Sequence, residues 1–110
     1  MNNLDIIENC IKESIRTKER ILGAEKVKRE IIAAAQVMRD ALDDGKKILF
    51  CGNGGSASDA LHLTGELIGR FQKERHSLAA MSLNADVSSL TAIANDYGFE
   101  KVFPDKLREL

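Results

Sequence analysis

Cysteine is scarce: Cys10 and Cys51 are the only two in 110 residues. Two cysteines build neither a disulfide framework nor a zinc-knuckle spacing. Cys51 ends an apolar run, where a buried, inert thiol is expected. No apolar run reaches the roughly 18 residues that a membrane span needs. The start, Met1-Asn2-Asn3-Leu4-Asp5, has neither a basic opening nor a continuous apolar stretch. It therefore does not read as a signal peptide, and a cytoplasmic location is expected. Net charge is nearly absent too, with 16 basic and 17 acidic residues giving −1. No general attraction to nucleic acid or to an anionic membrane follows, so any anion binding must be local. Internal repeats and low-complexity segments are also lacking.

What is present begins with helical periodicity. Residues 4–22 carry apolar positions at Leu4, Ile7, Ile11, Ile15, Ile21 and Leu22, with charges on the other face. Gly23 interrupts the pattern. A second helix is expected over 24–44, with Val27, Ile31, Ala34, Ala35, Met38 and Leu42 as its apolar stripe. Gly45 stands where a C-terminal cap belongs. The first helix has little after it to cover its stripe, which favours a contact with another subunit. Residues 1–45 are thus expected to serve oligomerisation, and 46–110 to form an α/β unit. That unit reads strand 47–51, glycine loop, helix 56–71, strand 78–83, helix 87–97, and a last helix 104–110 with Pro104 in its first turn. Two strands bury too little to be stable alone, so further chain or a partner is expected to complete the sheet.

The chemistry concentrates at Gly52-Asn53-Gly54-Gly55-Ser56-Ala57-Ser58, between the first strand and its helix. Small residues let backbone N–H groups approach a ligand, and a helix start adds unsatisfied donors and a positive dipole end. Such a loop suits an anion, most often phosphate. It formally matches G-x-G-x-x-A, the dinucleotide fingerprint. That reading needs an acidic residue at the end of the next strand, about 20 residues on. Asn84 and Asp86 lie too far along, and Glu74 precedes the strand. A Gly-Lys-Ser/Thr sequence is missing as well, which argues against a nucleoside triphosphate. A sugar phosphate and a plain tight turn remain open.

Asp59, His62, Glu66 and Arg70 follow at spacings of 3, 4 and 4, one polar stripe on a helix. A solvated stripe with a Glu66–Arg70 ion pair is one reading. The other has His62 and Glu66 lining a pocket above the loop, or supplying half of a metal site. Asn84-Ala85-Asp86 follows the second strand, with Asp86 a natural N-cap for the next helix. Asn95-Asp96-Tyr97-Gly98 closes that helix, with Asp96 at the unfavourable end of the dipole.

Three blocks carry a resemblance: Cys51 to Ala60 followed by His62, then Gly65-Glu66-Leu67-Ile68-Gly69-Arg70-Phe71, then Leu90-Thr91-Ala92-Ile93-Ala94-Asn95-Asp96-Tyr97-Gly98-Phe99. In order and spacing they resemble the sugar isomerase (SIS) domain family and, within it, the phosphoheptose isomerases. The resemblance implies a Rossmann-like parallel sheet with helices on both faces, preceded by two helices, of which this chain would be the N-terminal part. It implies ketose–aldose isomerisation of sedoheptulose 7-phosphate to a heptose 7-phosphate through an enediol. It puts Asn53, Gly54, Gly55, Ser56, Glu66, Asn95 and Asp96 at the sugar phosphate and makes Glu66 a catalytic carboxylate. His62 and Glu66 become two ligands of a zinc ion, and the assembly a homotetramer. The family's other catalytic group, a histidine, and its second phosphate loop match nothing in these residues. The chain by itself is therefore expected to be inactive. Relatives of the same fold that bind without catalysis offer the alternative: a replication-initiator-associating protein or a sugar-phosphate sensor.

Overall fold

The computed structural model describes residues 1–70 and 72–110. It is a mixed α/β chain, with the helices α1 (Asn3–Gly23) and α2 (Glu25–Asp43) ahead of the first strand. After them come β1 (Ile48–Phe50), α3 (Gly55–Ile68), β2 (Ala80–Ser82), α4 (Val87–Tyr97), a short 3-10 turn (Phe99–Lys101) and α5 (Val102–Arg108). Met1–Arg39 and Asp40–Leu110 form two compact units.

In the first unit α1 begins at a capping box. The Asp5 N–H donates to Asn2 Oδ1 at 2.9 Å, and the Asn2 N–H to Asp5 Oδ2 at 3.0 Å. Such a cap contributes about 1 kcal/mol. Glu8–Lys12 and Glu13–Arg16 pairs on the exposed face add a few tenths each. The apolar stripe does not bury itself: Leu4, Ile7, Ile11 and Ile15 are each at least half exposed.

The second unit opens with the end of α2. There the Gly45 N–H donates to the Leu42 carbonyl at 3.0 Å and the Lys46 N–H to that of Ala41 at 2.8 Å. This pair of bonds is a Schellman motif, as the position of Gly45 predicts. β1 and β2 pair in parallel, with Ile48 opposite Ala80, Leu49 opposite Met81 and Phe50 opposite Ser82. Side chains alternate between faces, so Ser82 is buried while Met81 on the opposite face is 40% exposed. α3 packs against both strands. No helix of the described residues is long and apolar enough to cross a membrane.

Several boundaries differ from those predicted. Both strands have three residues, because the ladder extends only where each faces its single neighbour. α3 stops at Ile68, since Gly69 turns to extended backbone and a Cβ there would lie 2.8 Å from the Gly65 carbonyl oxygen. Phe71, expected at the end of this helix, lies outside the described residues. Cys51 is exposed, not buried, because it has already left the strand. The last helix starts at Val102, two residues before Pro104. Gly98 breaks α4, the 3-10 turn reverses the chain, and Phe99 meets Phe103 edge to face at 6.0 Å. Pro104 sits in the first turn of α5, where its missing N–H costs nothing.

Val102 is 0% exposed and joins the short core with Ala60 and Leu83. Val102→Ala removes two buried methyl groups and is expected to destabilise the second unit by about 2 kcal/mol. A urea titration monitored by circular dichroism measures this as a lowered midpoint.

Candidate functional site

The two strands deliver two loops to the same edge of the sheet. β1 is anchored there by the Leu83 N–H donating to the Phe50 carbonyl at 2.8 Å. Two residues later the chain turns at Gly52. Asn84, just past β2, holds that residue from both sides: its Oδ1 accepts from the Gly52 N–H at 3.0 Å and its Nδ2 donates to the Gly52 carbonyl at 2.9 Å. A Cβ on Gly52 would lie 2.5 Å from the backbone carbon, backbone oxygen and Oγ of Ser56. Only glycine allows the first turn of α3 to come so close. Gly54 follows with φ 57° and ψ −122°, which side-chain-bearing residues rarely adopt.

Ser56 staples the loop. Its Oγ accepts from the Asn53 N–H at 2.7 Å and donates to the Asn53 carbonyl at 2.8 Å. The Gly54 carbonyl accepts from the N–H groups of Ala57 and Ser58 at 3.1 and 3.2 Å. The N–H groups of Gly54 and Gly55 donate to nothing among the described residues. They are free donors at the positive end of the α3 dipole, the arrangement an anionic ligand needs.

α3 carries the second part of the site. His62 Nε2 lies 3.0 Å from Glu66 Oε1, a pair made by i,i+4 spacing on one helix face. The His62 side chain is 74% exposed and that of Glu66 34%. Asp59, His62 and Leu63 line an open concavity of about 360 Å³. The expected Glu66–Arg70 pair is replaced: Arg70 turns to Glu74 at 3.4 Å and to the Arg75 carbonyl at 2.8 Å, leaving Glu66 to His62. An imidazole nitrogen and a carboxylate oxygen are ordinary zinc donors, but a tetrahedral site takes four. No group of three or more His, Cys, Asp or Glu placed to hold a metal occurs among the described residues. The donors present fit half of such a site.

Asn95 and Asp96 lie at the far end of α4, both exposed, with Asn95 Nδ2 donating to Asp96 Oδ1 at 3.0 Å. No hydrogen bond among the described residues joins them to the glycine loop or to His62 and Glu66. Asp86 caps α4 as predicted, accepting from the Ser88 and Ser89 N–H groups at 3.1 and 3.4 Å. The Ser89 hydroxyl and then the Ser89 N–H hold its carboxyl below the usual carboxylate range; desolvation opposes them, and the Ser88 N–H and Lys106 add to the lowering.

Two residues outside the predicted site help to hold it. Asn84 is one. Arg75 is the other, its guanidinium donating to the carbonyls of Glu66 and Leu67 at 2.9 and 3.0 Å. A cation at the C-terminus of a helix satisfies orphan carbonyls and the negative dipole end. Its signal in the sequence is only a basic residue shortly after the helix.

The second unit is thus a parallel α/β unit that leads through a glycine turn into a helix bearing a His–Glu pair. The chain belongs to the SIS domain family, whose model matches residues 11–109. It is 48% identical over 107 residues to the phosphoheptose isomerase of a Nitratiruptor species, covering 97% of this chain and 56% of that relative. To the phosphoheptose isomerase of Neisseria meningitidis serogroup C it is 54% identical over 99 residues, covering 89% of this chain and 49% of the relative. Two solved phosphoheptose isomerases share the fold. One, from Francisella tularensis, has TM-score 0.92 at 37% identity, over 100% of this chain and 56% of that one. The other, from Neisseria gonorrhoeae, has TM-score 0.89 at 39% identity, over 99% and 55%. The chain spans about half the length of the relatives it matches.

Gly52→Ala is expected to cost about 1–3 kcal/mol, because backbone atoms of Ser56 must move to admit the methyl group. A urea midpoint equal to that of the parent chain would contradict this. The Asp86 cap has its own pH signature. A lowered carboxyl contributes stability that is present above its ordinary value of 3.8 and lost as pH falls through the lowered one. Asp86→Asn is expected to flatten that acid-side loss in a pH series of thermal melts, while keeping the cap.

Proposed function

We propose that this chain supplies the glycine loop and one acid–base group of a phosphoheptose isomerase. The reaction would interconvert sedoheptulose 7-phosphate and D-glycero-D-manno-heptose 7-phosphate, a ketose–aldose isomerisation that feeds heptose into cell-surface polysaccharide. One observation carries the reading: free loop amides and a His–Glu pair sit on the same helix, 3.0 Å separating His62 from Glu66. The names and identities of the relatives support the particular sugar.

In this reading Gly54 and Gly55 donate backbone N–H groups to the sugar phosphate, and Asn53 offers its side-chain amide beside them. Ser56 keeps the loop in shape. Its single hydroxyl proton is given to Asn53, so contact with a phosphate oxygen requires that bond to be exchanged. Asn95 and Asp96 would reach the same ligand from a different direction. Isomerisation needs a base that takes the proton α to the carbonyl and a partner that moves the oxygen-bound proton. Glu66 is proposed as the base. Its Oε1 is turned toward His62, which leaves Oε2 for the substrate. His62 and Glu66 are also proposed as two of four zinc ligands, the others coming from outside the described residues. A bound zinc would act as a Lewis acid on the carbonyl oxygen.

A homotetramer is proposed with this reading. The uncovered stripe of α1 supports association, since burying one isoleucine or leucine is worth about 1.5–3 kcal/mol. A cytoplasmic location is proposed as well, supported by the two free, exposed thiols.

The test uses this chain extended to the full length of its relatives. The extended protein is expected to form heptose 7-phosphate from sedoheptulose 7-phosphate. Glu66→Gln is expected to lower turnover at least about 100-fold with the association state unchanged in sedimentation. Unchanged turnover in the variant refutes the role of Glu66. Binding of the sugar phosphate without turnover in the extended parent favours a sensor over an enzyme.

A further inference from the structure

We propose that Asn84 is the positioning residue of the glycine loop. Its side-chain amide fixes the orientation of the Gly52 peptides and, through them, aims the free N–H groups of Gly54 and Gly55 at the ligand. Four observations converge on it. The amide makes both of its hydrogen bonds to one residue, at 3.0 and 2.9 Å, across 32 positions of sequence. Asn84 is itself held: its backbone N–H donates to the hydroxyl of Ser82 at 3.1 Å, and Ser82 is buried. Gly52 cannot relax toward α3, because Ser56 stands against it with no room for even a methyl group. Asn53 is then tied to that same Ser56 through both its N–H and its carbonyl. The position of the loop is thus transmitted in sequence from buried Ser82 to Asn84, Gly52, Ser56 and Asn53, and ends at the two amides that have no partner.

The chemistry of the side chain is specific. A primary amide offers an acceptor and a donor side by side, which matches the N–H and carbonyl of Gly52. Aspartate keeps the acceptor but sets a carboxylate oxygen against the Gly52 carbonyl, and alanine removes both bonds. Asn84 touches no ligand in this scheme. It acts through Gly52, so its loss should loosen the loop more than it unfolds the chain.

The importance of this clamp for a sugar phosphate rests on the proposed function, and two measurements keep the ideas apart. In the 110-residue chain, Asn84→Ala is expected to speed hydrogen exchange at the Gly52 N–H roughly tenfold. Backbone order parameters at Gly54 and Gly55 should fall from the rigid range near 0.85 to below about 0.6. Asn84→Asp is expected to keep the Gly52 N–H protected while Gly54 and Gly55 still loosen, a split that a general loss of packing would not produce. It also serves if the alanine variant fails to fold. Calorimetry with sedoheptulose 7-phosphate should then show affinity at least roughly tenfold weaker in each folded variant. Rigid Gly54 and Gly55 in a folded variant overturn the clamp, as does exchange raised uniformly across the unit. Failure of the parent chain to bind the sugar phosphate defeats the functional reading, and the order parameters then decide the clamp alone.

Discussion

Gly52 leaves β1 with its backbone gripped by Asn84 and its Cα hydrogens against the first turn of α3. Replacing the hydrogen that stands where an L residue carries its Cβ would put that carbon 2.5 Å from Ser56, far inside van der Waals contact. That close approach sets where α3 begins, and α3 in turn packs on both strands and carries Ala60 into the core. His62 and Glu66 inherit their positions from the same helix. The glycine loop, the small core and the His62–Glu66 pair therefore share one origin, a single residue without a side chain.

The two ends of α3 are secured by different means. At its start no side chain caps it, and Gly54 stands at the N-cap position with its carbonyl accepting two amides. A Ser or Asp cap would satisfy the N-terminal donors internally. Leaving them open costs some helix stability and keeps donors for an anion. At its end Arg75 covers the carbonyls of Glu66 and Leu67. The helix is thus open at its start and closed at its end.

Much of this was legible in the sequence. The glycine loop, the order of strands and helices, the Asp86 cap and the Gly45 terminus all rest on local chemistry, where spacing and residue type suffice. The SIS-type fold followed from blocks of residues in fixed order. What escaped depends on distant contacts. The grip of Asn84 on Gly52 spans 32 positions, and no local pattern marks it. Arg70 looked like a partner for Glu66, yet the loop after α3 brings Glu74 and the Arg75 carbonyl to it instead. The thiol of Cys51 looked buried because the apolar run continues to it, whereas the strand ends one residue earlier. The burial of Val102 was hidden in a short charged segment, since only the reversal at Phe99–Lys101 turns it inward.

The central claim is that an anionic sugar is received by the free amides of this loop. Titrating the isotope-labelled chain with sedoheptulose 7-phosphate and following each amide resonance tests it most directly. Saturable shifts are expected, largest at Gly54 and Gly55 and smaller at Ser56 and His62. Saturable binding that leaves Gly54 and Gly55 unmoved would contradict it.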